Sequence, residues 1–185
     1  MQPFRIAIDP GHGGRDPGAV AGDIYEKDLN LNLSAYLFKT CLNRGLNPFL
    51  LRGGDYNLQL EERVNLAEAA GAELFLSVHH NGAASSAANG TETLHFPGSK
   101  FGVLYAEYIQ QGMLDALGSR DRGVKTSDSL YVLRRTSMPA VLIEPLFVTG
   151  EEDKMIYSRE DYYRGLAEII IDSIIQLNKE LGRVK

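Results

Sequence analysis

Short apolar runs closed by glycine or polar breaks alternate along this chain with longer stretches in which apolar residues return every three or four positions. The run FRIAID, residues 4 to 9, is apolar and followed at once by glycines, as a buried strand would be. From Glu26 to Arg44, the positions Leu29, Leu33, Tyr36, Leu37 and Cys41 trace one helical stripe, with Gly45 as its stop. NPFLLR (47 to 52) predicts a second strand broken by GGD, and a helix follows from about Leu58 to Ala70, ending at Gly71. ELFLSVH (73 to 79) is the clearest strand. NGAASSAANG (81 to 90) is small and polar, hence a loop, and TETLHF predicts a strand after it. An amphipathic helix over 101 to 117 carries Phe101, Leu104, Tyr105 and Tyr108. Beyond a polar loop, LYVLR and AVLIE predict two more short extended runs. A closing helix presents Leu166, Ile169, Ile170, Ser173, Ile174, Leu177 and Leu181. No repeat, linker or low-complexity tract interrupts the alternation. Residues 1–185 are therefore expected to form a single α/β domain, a twisted and mainly parallel sheet flanked by helices on both faces.

Composition narrows the partners more than the fold. A formal net charge of -5 leaves no basic excess to neutralise phosphates, so nucleic acid is not expected as a partner. Arg134 and Arg135 are the only adjacent basic pair. No apolar run approaches the roughly 20 residues of a membrane span. The single cysteine, Cys41, excludes an internal disulfide and a cysteine-cluster metal site, and its place in a helical stripe makes it a core residue. MQPFRIAID enters the first strand without a charged n-region or an apolar h-region, so no signal peptide is expected in the chain as written.

Chemistry gathers where the strands finish. In open α/β sheets, ligands bind beyond the carboxyl ends of the strands. His12 follows the first strand in DPGHGG, His79 ends ELFLSVH, Glu144 ends AVLIE, and Glu26 opens the helix that leaves this same edge. Two imidazoles and a carboxylate are a ligand set for catalytic zinc, and Glu144 is then the candidate to move protons. Each residue also has an ordinary reading. A strand-end histidine is commonly structural, Glu26 would suit the positive end of its helix, and Glu144 could be a rim charge. LSVHHNG adds a complication, because adjacent strand residues point to opposite faces and His79 and His80 cannot easily share one role. A nucleotide site is a poor rival. GHGGRD follows a strand, and Arg52 ends the next one where a cofactor phosphate could sit, but the G-x-G-x-x-G pattern fails at Asp16.

Six blocks, IAIDPGHGGRDPGAV, EKDLNLNLS, LEERVNLA, LSVHHNGA, GTETLHF and VLRRTSMPAVLIEPLFVTGEED, stand in the order found in zinc-dependent N-acetylmuramoyl-L-alanine amidases of the Amidase_3 type, which this chain resembles from about residue 4 to about residue 180. The resemblance implies one Zn2+ per chain held by His12, Glu26 and His79, with Glu144 as the catalytic carboxylate. It implies hydrolysis of the amide between the lactyl group of N-acetylmuramic acid and the L-alanine of the stem peptide, at the bacterial cell wall, extracellular or periplasmic. His80 and Asn81 are expected to bind substrate, although for His80 a place behind the ligands or in a solvated loop stays equally open. Two positions depart from the family pattern: Leu146 stands where a glycine is common after the catalytic glutamate, and His80 where a small or apolar residue is usual. Some relatives carry an inserted helix that blocks the zinc, and NGAASSAANG is too short for one at about 1.5 Å of rise per residue. The expectation is thus an open site on a monomer that needs no activator protein. A zinc peptidase of other specificity and a wall-binding module without catalysis are the alternatives left open.

Overall fold

The computed structural model describes residues 3–183. Its elements in chain order are β1 (Arg5–Pro10), β2 (Val20–Ala21), β3 (Ile24–Tyr25), α1 (Glu26–Asn43), β4 (Asn47–Leu50), α2 (Leu60–Ala69), β5 (Leu74–Val78), β6 (Thr91–His95), α3 (Lys100–Leu117), β7 (Asp121–Thr126), α4 (Tyr131–Arg135), β8 (Ala140–Glu144), α5 (Glu151–Tyr157) and α6 (Tyr162–Glu180). Six of these strands form one sheet in the order β4-β1-β5-β8-β6-β7. β4, β1, β5 and β8 run parallel, β6 is antiparallel to β8, and β7 is parallel to β6. The expected α/β class and mainly parallel sheet are what the chain adopts.

Period-2 alternation sorts the strand residues between two layers of helix. Ile6, Ile8, Leu74, Leu76, Val78, Val141 and Ile143 face the larger core, built with α1, α3 and α6. Ala7, Phe75, Ala140 and Leu142 face a smaller one closed by α2 and α4. The parity decides the site. Asp9, Ser77, His79 and Glu144 continue the set that faces α2 and α4, whereas His80 falls on the side of α1 and α6. Cys41 lies in the larger core with no exposure, and burial pushes its thiol up to about 12.

Three readings of the pattern need correction. LYVLR is not extended: its residues 131 to 134 lie in α4, and the buried Val132 and Leu133 pack toward the smaller core. A five-residue apolar run is too short for periodicity to separate strand from helix, so packing decides. The stretch passed over as polar loop contains β7, an edge strand whose burial alternates only weakly because one side is solvent. The hairpin β2–β3 and the short helix α5 also carried too few periodic residues to be seen.

Candidate active site

His12 sits in the loop that leaves β1, and it is the only non-glycine residue with positive φ (59°) among those described. A left-handed conformation at such a residue persists only where its surroundings over-determine it. Two buried arginines do so here. Arg52 donates through Nε to the Pro10 carbonyl (2.9 Å) and through Nη2 to that of Gly11 (2.8 Å). Arg63 donates to the carbonyls of Pro10 (2.7 Å) and His12 (2.9 Å). Three successive carbonyls are thus held by two guanidinium groups that are 0% and 3% exposed. Arg63 is neutralised by Asp9, whose other oxygen accepts from the Ser77 hydroxyl at 3.0 Å. Arg52 is therefore scaffold. Its donors are spent on the carbonyls of Pro10, Gly11, Lys27 and Gly54, which removes it as a phosphate contact.

The loop brings His12 to Glu26 and His79. His12 Nε2 is 3.1 Å and His79 Nδ1 2.9 Å from the same oxygen, Glu26 Oε1. One donor atom from each of the three residues lies within 4.8 Å of the others, the spacing of a metal site. Glu26 reaches this point because α1 starts beside the loop: the Glu26 and Lys27 amides donate to the carbonyls of Ala19 and Pro17. Burial opposes ionisation of Glu26, but hydrogen bonds and charge from His12 and His79 outweigh it and hold the carboxyl far below the usual carboxylate range. Burial likewise works against a charged His12, and Glu26 and Asp16 overcome it, raising its pKa. Asp16 Oδ2 takes the second His12 nitrogen, Nδ1, at 2.9 Å, so Nε2 is left facing Glu26. Two glycines make the room. A Cβ on Gly11 would stand 2.3 Å from the His79 ring, and one on Gly18 would stand 2.4 Å from Glu26 Oε2.

Glu144 closes β8 beside this cluster. Its Oε2 is buried and finds no hydrogen-bond partner among the described residues. Burial raises its pKa well above the ordinary value, the charges of Glu26 and Glu92 add to the rise, and Lys125 opposes it. Glu92 stands directly across the sheet from Glu144 and is held by Arg122 Nε (2.6 Å) and Lys125 Nζ (2.7 Å). His12, His79 and Glu144 line one cleft of about 410 Å³, walled by Arg63, Leu130 and Tyr131. The raised carboxyl of Glu144 thus shares one cavity with two members of the cluster, His12 and His79.

Of the two residues expected to bind substrate, His80 is buried and Asn81 half-buried. His80 is 1% exposed, with its imidazole between Asn30 Oδ1 (2.8 Å) and the Tyr162 hydroxyl (2.7 Å), and burial pushes it down to about 4. Strand parity turns it to the side of α1 and α6, away from His79, so it is not a solvated loop residue. Asn81 donates its amide to the Leu146 carbonyl and accepts from the Val148 amide, tying the loop after β5 to the one after β8. Arg52, Arg63, Asp16 and Asn30 support the cluster, a role the sequence alone does not give them. Arg52 and Arg63 hold the Pro10 carbonyl from 42 and 53 residues away, which no local pattern reveals, whereas Asp16 and Asn30 lie only four residues from His12 and Glu26.

A family model described as N-acetylmuramoyl-L-alanine amidase matches residues 6–176. The chain is 39% identical over 173 residues to the N-acetylmuramoyl-L-alanine amidase LytC of Bacillus subtilis, a match covering 92% of this chain and 34% of LytC. The catalytic domain of the amidase CwlV from Bacillus (Paenibacillus) polymyxa superposes with a TM-score of 0.88 at 33% identity, covering 98% of this chain and 99% of that one. An N-acetylmuramoyl-L-alanine amidase of Clostridium difficile 630 superposes with a TM-score of 0.90 at 30% identity, covering 97% and 98%. With the model matched across nearly the whole sheet and every helix of the larger core, the chain belongs to the Amidase_3 family of N-acetylmuramoyl-L-alanine amidases.

Proposed function

We propose that the chain hydrolyses the amide between the lactyl carbonyl of N-acetylmuramic acid and the L-alanine of the stem peptide in bacterial peptidoglycan, using one zinc ion. The observation that carries this is the convergence of His12, Glu26 and His79 on one point, with Glu144 facing the same cleft. Two nitrogen donors and one carboxylate oxygen suit a late first-row divalent ion over magnesium or calcium. Such an ion, when bound, lowers the pKa of water from about 16 to about 7 and polarises a carbonyl. His12, Glu26 and His79 would hold it, with Asp16 orienting the His12 ring.

Glu144 carries the proton traffic. Its carboxylate takes a proton from the attacking water as the oxygen bonds to the lactyl carbon, and returns it to the alanine nitrogen as the C–N bond breaks. A raised pKa suits both halves, since the group must accept readily and donate readily near neutral pH. The site of action is the bacterial cell wall, outside the cytoplasmic membrane. No helix among the described residues is long and apolar enough to cross a membrane.

Mass spectrometry of defined peptidoglycan digested with and without chelator tests the reading. Stem peptides bearing a free L-alanine amine are expected, and only without chelator. Cuts within the stem, or products that persist in chelator, would replace the amidase with a different hydrolase.

A further inference from the structure

Behind the metal-facing carboxylate lies a set of buried polar groups that no step above uses. Asn30 of α1, His80 after β5 and Tyr162 of α6 are 0%, 1% and 4% exposed. Their hydrogens can be assigned from partners alone. Asn30 Nδ2 lies 3.2 Å from Glu26 Oε1 and 3.3 Å from the Gly11 carbonyl, and both of these only accept. The amide therefore turns its NH2 toward Glu26 and its Oδ1 toward His80 Nδ1, 2.8 Å away. Oδ1 cannot donate, so Nδ1 carries the hydrogen. A neutral imidazole is then an acceptor at Nε2, and the Tyr162 hydroxyl at 2.7 Å must be the donor. The reverse orientation would set the Asn30 carbonyl against a carboxylate and a second carbonyl.

Every link thus runs one way: Tyr162 O–H to His80 Nε2, His80 Nδ1–H to Asn30 Oδ1, Asn30 Nδ2–H to Glu26 Oε1. The His80 backbone amide adds a further donor to the same oxygen at 3.2 Å. We propose that Tyr162, His80 and Asn30 are positioning residues of the metal centre, a one-way hydrogen-bond chain that fixes Glu26 Oε1 between His12 and His79 and sets the affinity for zinc. The proposal rests on reading His12, Glu26 and His79 as the metal site. Hydrogen bonds in series polarise one another, and this series ends on the charge it stabilises. It also ties α6, the last helix, to a ligand on the first.

Zinc affinity, measured by chelator competition rather than by turnover, is the test. Tyr162→Phe and His80→Leu are expected to weaken zinc by about 10–100-fold, the usual effect of losing an outer hydrogen-bond partner of a ligand. His80→Asn, which keeps an N–H where Nδ1 stands, should recover most of that loss. Tyr157→Phe is the control for packing: it removes a buried hydroxyl bonded to the Val148 carbonyl at 2.8 Å, and should lower the melting temperature without moving zinc affinity. Nitrogen-15 spectra of the metal-free wild type should show the His80 proton on Nδ1. A proton on Nε2, or folded Tyr162→Phe and His80→Leu proteins that bind zinc within about twofold of wild type, would overturn the chain. Wild-type protein that takes up no zinc would instead overturn the metal site itself, a result distinct from variants that match a binding wild type.

Discussion

Gly11→Ala puts the geometry of the ligand cluster to a direct test. The added Cβ would stand 2.3 Å from His79 Nε2 and Cε1, where ordinary contact begins at 3.4 Å. Something must therefore yield by about 1.1 Å, several times the roughly 0.2 Å within which metal–ligand distances are held. The backbone is the stiffer side. The Gly11 amide donates to the Val78 carbonyl at 2.9 Å, and its own carbonyl accepts from Arg52 and Asn30. The imidazole retreats instead and leaves two ligands of three. We expect zinc affinity to fall at least about 100-fold, close to 3 kcal/mol at about 1.4 kcal/mol per decade, with wall hydrolysis falling alongside. Chelator competition measures the loss, and circular dichroism shows whether the fold is kept. Gly165→Ala is the companion variant, because a Cβ in that part of α6 meets nothing within 4 Å. A Gly11→Ala protein that binds zinc like wild type would refute the packing argument.

Further variants separate chemistry from support. Glu144→Gln should keep zinc and lose about 10²–10⁴-fold in turnover; loss of the metal as well would make Glu144 a ligand. Because its folded pKa is raised, neutral Glu144 favours the fold below its ordinary value, and that contribution disappears as pH rises through the shifted one. Metal-free Glu144→Gln should accordingly melt higher than metal-free wild type at pH 7, with the gap closing in acid; equal melting at both pH values would contradict this. Glu92→Gln removes a like charge and frees Lys125, so the acid limb of kcat/KM should move down in pH, and an unmoved limb would sever the link between Glu92 and Glu144. Arg63→Met strands the buried Asp9 charge and should cost about 3–5 kcal/mol in urea unfolding, with Asp9→Asn restoring part of it; strictly additive losses would deny the pair.

The cluster is legible in the sequence because it depends on where strands end. His12, His79 and Glu144 each follow an apolar run that period and composition mark as a strand, and parallel strands deliver their ends to one edge. What supports the cluster was not legible. Tyr162 lies 82 residues beyond His80, and nothing near LSVHHNG announces that its second histidine will be covered by the last helix. Arg52 ends a predicted strand and Arg63 sits beside two glutamates, and only the packing of the segments after β4 and in α2 around the loop after β1 shows both spent on backbone carbonyls. LYVLR failed for a different reason: its apolar residues fit either period, and contact with Val64 and Ala67 of α2 in the smaller core decides between them.

Cys41 has a practical consequence for all of these experiments. It is the only thiol in the chain, it has no exposure, and burial holds its thiol up to about 12. A thiol-reactive dye therefore has nothing to react with until α1 lifts from the sheet. Its labelling rate is a clock for opening of the larger core, running in the same tube as a zinc titration. A variant whose zinc affinity drops while this clock keeps wild-type time has lost zinc without loosening the larger core.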